Sequence, residues 1–353
     1  MTLAQRIDAL AHLGEHLGQG TDEYLTALQQ RTEFHNPWFT LANQERALQA
    51  VINSFLQPER LRDWLRPYRP LPAAPPATTV GLVLAGNIPL VGVHDVISVF
   101  LAGHRAQIKL SSKDPYVLPY LLKLLRTAHP ATDDYFEIVG TLRGFDAIIA
   151  TGSNNSARYF EAYFGRYPHI IRRNRNAVAF LTGDESTDEL RRLGDDVFSY
   201  FGLGCRNVSK LYVPEGYNFT PLLEVFHEWA HYQNHAKWKN NFDYNFALLT
   251  LNKEPFYHNG AIIVRESTAI ASHIAGLYYE TYANKAAGTQ VIANQAEQLQ
   301  LVVARPGVLD LPTFDFGAAQ RPALTDYADG IDTLEWLTTA LPTPPPPAEA
   351  VGR

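Results

Sequence analysis

The chain has 353 residues, length enough for about two domains of ordinary size, each with its own core. Hydrophobic residues make up 46% and charged residues 19%, a balance that excludes an extended disordered chain. The formal net charge of −6 removes any electrostatic ground for non-specific nucleic-acid binding, so no nucleic-acid partner is expected.

At the N-terminus, Leu3, Ile7, Leu10, Leu13 and Leu17 recur at steps of three and four, which predicts a helix ended by Gly18 and Gly20. Arg6 and Asp8 interrupt this stretch where a secretory signal needs an unbroken apolar core. No apolar run approaches about 18 residues, so neither signal nor membrane span is expected, and the cytoplasm is the expected location. A second helix is predicted from Thr21 as N-cap. A third follows Thr40, carries Ala47, Val51 and Phe55 and stops at Pro58. These stripes read as core. Residues 1–66 thus form a helical N-terminal segment, and the proline-rich run 66–76 reads as an extended connector.

From residue 79 strand and helix alternate, the signature of a mainly parallel sheet covered on both faces. Strands are predicted near 79–84, 106–110, 146–150 and 177–181, with helices at 91–102, 115–128, 154–164 and 186–199. Beyond Cys205 the alternation loosens, with a helix near 219–233 and strands near 246–251 and 260–265. The expected organisation is an α/β domain over 79–195, with 310–340 a candidate to complete it, a second α/β domain over 196–310, and a proline-rich disordered tail at 341–353.

Cys205 is the sole cysteine, so no internal disulfide can form. It sits in Phe201-Gly-Leu-Gly-Cys-Arg-Asn207, where Gly202 and Gly204 allow a tight turn and close approach of a substrate. A thiolate there could form a thioester; a small, buried and inert thiol is the alternative.

Four motifs in one order accompany it: Ala85-Gly-Asn-Ile-Pro89 after a strand, Lys109-Leu-Ser-Ser-Lys-Asp-Pro115, Thr151-Gly-Ser153 after a strand, and Gly204-Cys205. With Asn36-Pro-Trp-Phe-Thr40 and Leu324-Thr-Asp-Tyr-Ala-Asp-Gly330, they give the chain a resemblance to the aldehyde dehydrogenase superfamily. Within it, the chain is most similar to the shorter acyl-CoA reductases of the LuxC type, which supply aldehyde to bacterial luciferase. The resemblance implies an aldehyde-dehydrogenase-like α/β fold, with a Rossmann-like cofactor domain and an α/β catalytic domain carrying Cys205. It implies reduction of a fatty acyl-CoA or acyl-carrier thioester to an aldehyde through a thioester on Cys205. The Asn87 amide and the Cys205 backbone N–H would stabilise the oxyanion. Gly86 and Lys109 would contact the nicotinamide cofactor, and the Gly152-Ser153 helix start would suit its pyrophosphate.

Where NAD-preferring relatives place a ribose-binding carboxylate, this chain has Ser112 flanked by Ser111 and Lys113, which favours NADPH over NADH. Aldehyde-oxidising relatives carry a water-activating glutamate in a Glu-Leu-Gly-Gly-like segment. The matching stretch here, His169-Ile-Ile-Arg-Arg-Asn-Arg175, has no carboxylate, as suits a thioester that must wait for hydride. Arg172, Arg173 and Arg175 read either as phosphate ligands for cofactor or CoA or as a solvated basic edge.

Two rival readings accompany this one. His227-Glu228-Trp-Ala-His231 matches H-E-x-x-H, the signature of a zinc peptidase with Glu297 as a further ligand candidate, but it leaves Cys205, Asn87 and Lys109 unexplained; no metal is expected. The other is a non-catalytic, acyl-transferring homologue, against which the retained thiol and Lys109 argue. A homo-oligomer and an acyl-transferring partner protein are further expectations.

Overall fold

The computed structural model describes residues 1–68 and 78–341, so most of the expected connector and nearly all of the expected tail lie outside the described residues. The chain divides into two compact units, Met1–Arg173 with Ala323–Arg353, and Asn174–Pro322.

In the first unit, Thr2 and Gln5 form a capping box that opens α1 (Leu3–Gly18). The N-cap of α2 (Glu23–His35) is Asp22 and not Thr21, because the Asp22 carboxylate accepts from Leu25 N–H at 2.9 Å and is held by the Tyr120 hydroxyl at 2.7 Å. Thr40 caps α3 (Leu41–Phe55). Pro58, expected only as a stop, also opens α4 (Pro58–Leu65), since a first-turn residue needs no N–H partner. Then follow β1 (Thr79–Val83), α5 (Val93–Ala102), β2 (Arg105–Lys109), α6 (Val117–Ala128), β3 (Phe136–Ile138), β4 (Ala147–Thr151), α7 (Asn154–Phe164) and β5 (His169–Arg172). The strands form one parallel sheet in the order β3-β2-β1-β4-β5, with Val80, Leu82, Ala106 and Ile108 fully buried. The short edge strands β3 and β5 escape the sequence because each offers only two or three apolar residues. β1 has β2 on one side and β4 on the other: the chain winds outward from β1 through β2 to β3 and then crosses back to β4 and β5, so the switch point opens at the carboxyl ends of β1 and β4.

The second unit contains β6 (Asn176–Phe180), α8 (Thr187–Phe198), β7 (Val208–Pro214), α9 (Thr220–Phe226), α10 (Ala236–Leu251), β8 (Tyr257–His258), β9 (Ile263–Glu266), β10 (Gly276–Tyr282), α11 (Lys285–Asn294) and β11 (Leu299–Val303). Its sheet runs β11-β6-β7-β10-β9-β8, parallel except for β8 against β9. The boundary therefore falls at 173/174 and not near 195: β6, counted with the cofactor domain from sequence, pairs with β7 and β11. The strand expected at 246–251 is the end of α10, whose Trp238, Phe242 and Leu249 bury one helical face at steps of four and seven. From Ala323 the chain rejoins the first unit and ends its described part with α12 (Thr333–Thr339). Among the described residues no helix is long and apolar enough to cross a membrane.

Candidate active site

The chain approaches Cys205 through an unusual bend. After α8, Tyr200, Phe201 and Gly202 have φ of 53°, 56° and 71°, three successive left-handed residues of which two bear large side chains. Gly202 adopts this region freely, but each of the two non-glycine residues costs about 1–2 kcal/mol that packing has to offset. Packing is present: both rings are buried, and Phe201 lies 4.8 Å from the Tyr232 ring and 4.4 Å from that of His235.

Gly204, Cys205, Arg206 and Asn207 then form a tight turn, closed by Asn207 N–H donating to Gly204 C=O at 3.1 Å. Asn207 is 1% exposed, and its side chain clamps this turn. Its Oδ1 accepts from Gly204 N–H at 2.8 Å, and its Nδ2 donates to the carbonyls of Ser199 at 2.7 Å and Asp196 at 3.1 Å. On the other side, Arg206 Nε donates to Ala319 C=O, and its guanidinium lies over the Phe314 ring at 4.8 Å. Asp196, fully buried, accepts from the N–H groups of Gly317 at 2.6 Å and Ala319 at 3.0 Å; burial pushes its carboxyl up to about 7. Cys205 is thus a half-buried thiol in a turn immobilised on both flanks. Sequence reasoning overlooked Asn207, Asp196 and the anchoring role of Arg206. The only available signal was an asparagine two places beyond the cysteine, in a glycine-rich turn.

In the first unit the predicted cofactor residues lie at the carboxyl ends of β1, β2 and β4, Lys109 as the last residue of β2 and the others on the loops that follow. Gly86 faces Ser111 so closely that a Cβ there would stand 2.2 Å from Ser111 Oγ, and 3.2 Å from Lys113 Cβ, so only glycine lets these loops meet. Ser111 Oγ accepts from Lys113 N–H at 3.3 Å, which turns this hydroxyl inward. Asp114 joins the same loops by accepting from Leu90 N–H at 3.0 Å, and burial holds its carboxyl above the usual range. From behind, His35 Nε2 lies 2.8 Å from the Ser112 carbonyl, and Asn36 Nδ2 donates to the Lys113 carbonyl at 3.3 Å. The side chains of Lys109, Ser112 and Lys113 remain exposed, and Asn87 is half-buried after β1. Ser153 is the N-cap of α7, its Oγ accepting from Ser156 N–H at 3.2 Å, and a Cβ on Gly152 would strike the Phe160 ring at 2.9 Å. Two ammonium groups and a hydroxyl facing solvent at the end of β2 are a donor set that fits a phosphate.

The arginines divide between the expectations: Arg172 departs from both, whereas Arg173 lies on an exposed edge. Arg172, on β5, is buried and donates to Asp95 at 2.5 Å and to Thr333 Oγ1 at 2.9 Å, which makes it a structural ion pair and not a phosphate ligand. Arg173 pairs with Glu161, and Arg175 donates to the Leu299 carbonyl at 3.3 Å. The H-E-x-x-H segment is a 3₁₀ helix over His227–Asn234, in which residues four apart point about 120° away from each other instead of along one face. Glu228 is held there by Arg191 at 3.0 and 3.1 Å, so the geometry of a zinc peptidase is not formed.

The fold is that of aldehyde dehydrogenases. Aldehyde dehydrogenase 21 from Physcomitrella patens, in complex with the reaction product succinate, is 15% identical with a TM-score of 0.62, over 86% of this chain and 73% of that one. The P. syringae indole-3-acetaldehyde dehydrogenase AldA, in complex with NAD+ and IAA, is 14% identical with a TM-score of 0.63, over 92% and 75%. P. syringae aldehyde dehydrogenase C, complexed with NAD+ and octanal, is 14% identical with a TM-score of 0.60, over 89% and 77%. No curated protein matches the chain. Residues 22–220, more than half of the chain, match the family described as acyl-CoA reductase (LuxC). With that match laid over an aldehyde-dehydrogenase fold, the chain belongs to the LuxC family of acyl-CoA reductases.

Proposed function

We propose that the protein reduces a fatty acyl thioester, carried by CoA or an acyl-carrier protein, to the aldehyde with NADPH, through a thioester on Cys205. The observation that carries this reading is the half-buried sole thiol in a turn clamped by Asn207 and Arg206, in a chain of this family. Cys205 Sγ, as thiolate, attacks the thioester carbonyl; the carrier thiolate leaves, and the acyl group stays on Sγ. The Asn87 amide donates to the carbonyl oxygen as negative charge builds there. Lys109, Ser112 and Lys113 hold the cofactor, the last two at its 2′-phosphate. Bound NADPH supplies the hydride. Cys205 Sγ departs as thiolate when the aldehyde is released, ready for a second acyl group. No carboxylate occurs in 169–175 to activate water against the waiting thioester, and Arg172 in that stretch is committed to Asp95.

Incubation with labelled acyl-CoAs of varied chain length and NADPH, followed through nicotinamide absorbance, aldehyde formation and peptide mapping, tests the reading. The label is expected on Cys205, and Cys205→Ala should lose both label and reduction while still binding NADPH. Acylation and reduction that survive Cys205→Ala would overturn it.

A further inference from the structure

We propose that Asp8, His12 and His129 form a binding site for a divalent transition metal of the zinc class, in the first unit and apart from the chemistry of Cys205. Asp8 and His12 stand four residues apart on α1, so their side chains leave the same face one turn apart. His129 is the C-cap of α6 and is fixed by its backbone: its N–H donates to the Leu125 carbonyl at 2.9 Å, and its carbonyl accepts both the N–H and the Oγ1 of Thr132, at 2.9 and 2.8 Å. This presents the His129 ring to α1, edge to edge with that of His12 and nearly coplanar, with centroids 5.0 Å apart and 18° between the planes.

His129 Nε2 lies 2.7 Å from His12 Nδ1, which in turn is 3.7 Å from Asp8 Oδ2. One ligand atom from each of the three residues falls within 4.8 Å of the others. Among the described residues no other group of three or more histidine, cysteine, aspartate or glutamate side chains converges in this way. Donors on one tetrahedral zinc, each about 2.0–2.2 Å from the ion, stand about 3.3–3.5 Å from one another. The imidazole pair therefore has to open by well under about 1 Å, with the carboxylate drawing in. Such movement is open to these side chains, because those of His12 and Asp8 are 49% and 62% exposed.

The 2.7 Å contact between the two rings is a single hydrogen bond, in which one nitrogen carries the hydrogen and the other presents its lone pair. A metal takes the place of that hydrogen with both lone pairs turned towards it, while the Asp8 carboxylate supplies negative charge. Two imidazoles with one carboxylate select zinc, nickel, cobalt or copper over calcium and magnesium, which prefer all-oxygen sites; water completes the coordination. The bound ion would join α1 to the turn after α6, two elements that already pack on each other, and so act as a staple for the N-terminal helices.

Metal-stripped full-length protein titrated with Co2+, and then with Zn2+ as competitor, tests the proposal. The expected result is one Co2+ per chain with visible d–d absorption, displaced by Zn2+, and a zinc-dependent rise in melting temperature. Both signals should be lost in His12→Ala and in His129→Ala and weakened in Asp8→Asn, with circular dichroism reporting the fold of each variant. The exposed position of His12 makes His12→Gln a further variant that should fold and fail to bind. No Co2+ absorption in the wild type, or absorption unchanged in the His12 and His129 variants, would overturn the assignment; the second result would place the ion elsewhere, for example on His227 and His231.

Discussion

Asn207 Oδ1 accepts the backbone N–H of Gly204 at 2.8 Å, one residue ahead of Cys205, while its Nδ2 bonds two carbonyls at the end of α8. One buried side chain thereby joins the helix, the left-handed bend and the turn that carries Cys205. Asn207→Ala leaves these backbone groups without that partner inside the protein, at about 1–3 kcal/mol for each buried group left unsatisfied. The variant should unfold at lower urea and lose kcat more than KM. Asn207→Asp, which keeps the acceptor for Gly204 N–H but turns a buried carboxylate oxygen towards the Ser199 and Asp196 carbonyls, should be at least as destabilised at neutral pH. Wild-type turnover in a folded Asn207→Ala would show that the clamp serves stability alone.

Asn87→Ala should lower turnover by about 10²–10³-fold if its amide meets the developing oxyanion, with substrate binding far less affected. Steady-state kinetics with a fixed acyl-CoA separates the two. A loss confined to KM would assign Asn87 to substrate placement.

Ser112 and Lys113 are exposed at the end of β2, with their carbonyls tied to His35 and Asn36 respectively. The wild type should prefer NADPH. A carboxylate at this position repels a 2′-phosphate, so Ser112→Glu should shift preference towards NADH, mainly by weakening NADPH binding. Titration of both proteins with both cofactors measures the shift; an unchanged preference would move phosphate recognition off this loop.

Asp196 predicts a pH dependence of stability. Burial raises its carboxyl from the ordinary 3.8 to about 7, so between those values the folded protein holds a proton that the unfolded chain has released. Its contribution to stability is full below about pH 4 and is lost as pH rises through about 7. Asp196→Asn removes this titration and should flatten the change in urea midpoint between pH 5 and pH 8. A wild-type slope that persists in the variant would locate the titrating group elsewhere.

The helices and inner strands were legible because their signals are local. Ser153 as cap and the pattern behind it give α7 its bounds, and the Thr40 cap gives those of α3. The unit boundary was hidden because the βα alternation runs unbroken through residue 173, and a strand does not reveal which sheet it will join. The Phe246–Leu251 run, apolar and short, reads equally as strand or helix until the spacing of Trp238, Phe242 and Leu249 is considered. The glycine-flanked turn at Cys205 was visible, but its clamp was not, since the partners of Asn207 are backbone groups that only the bend after α8 assembles. His12 and His129, 117 positions apart, carried no shared signal at all.

The return of the chain at Ala323 has a consequence for synthesis. Several polar groups of the first unit have partners in this late segment: His94 meets the Leu324 carbonyl at 3.0 Å, His104 that of Leu337 at 3.0 Å, Arg172 the Thr333 hydroxyl beside its pairing with Asp95, and Tyr68 the Asp332 carboxylate at 2.7 Å. Leu334 and Leu337 fill the same core. At about 5–20 residues per second, a ribosome needs roughly 8–30 s to pass from Arg173 to Ala323. Throughout that interval the nascent first unit holds an open apolar groove, whereas the second unit is contiguous and can complete itself. The half translated first is therefore the half finished last, and it is the one exposed to chaperones; a chain stopped at residue 322 should protect the amides of β6 and β7 from hydrogen exchange while leaving those of β1 and β4 open.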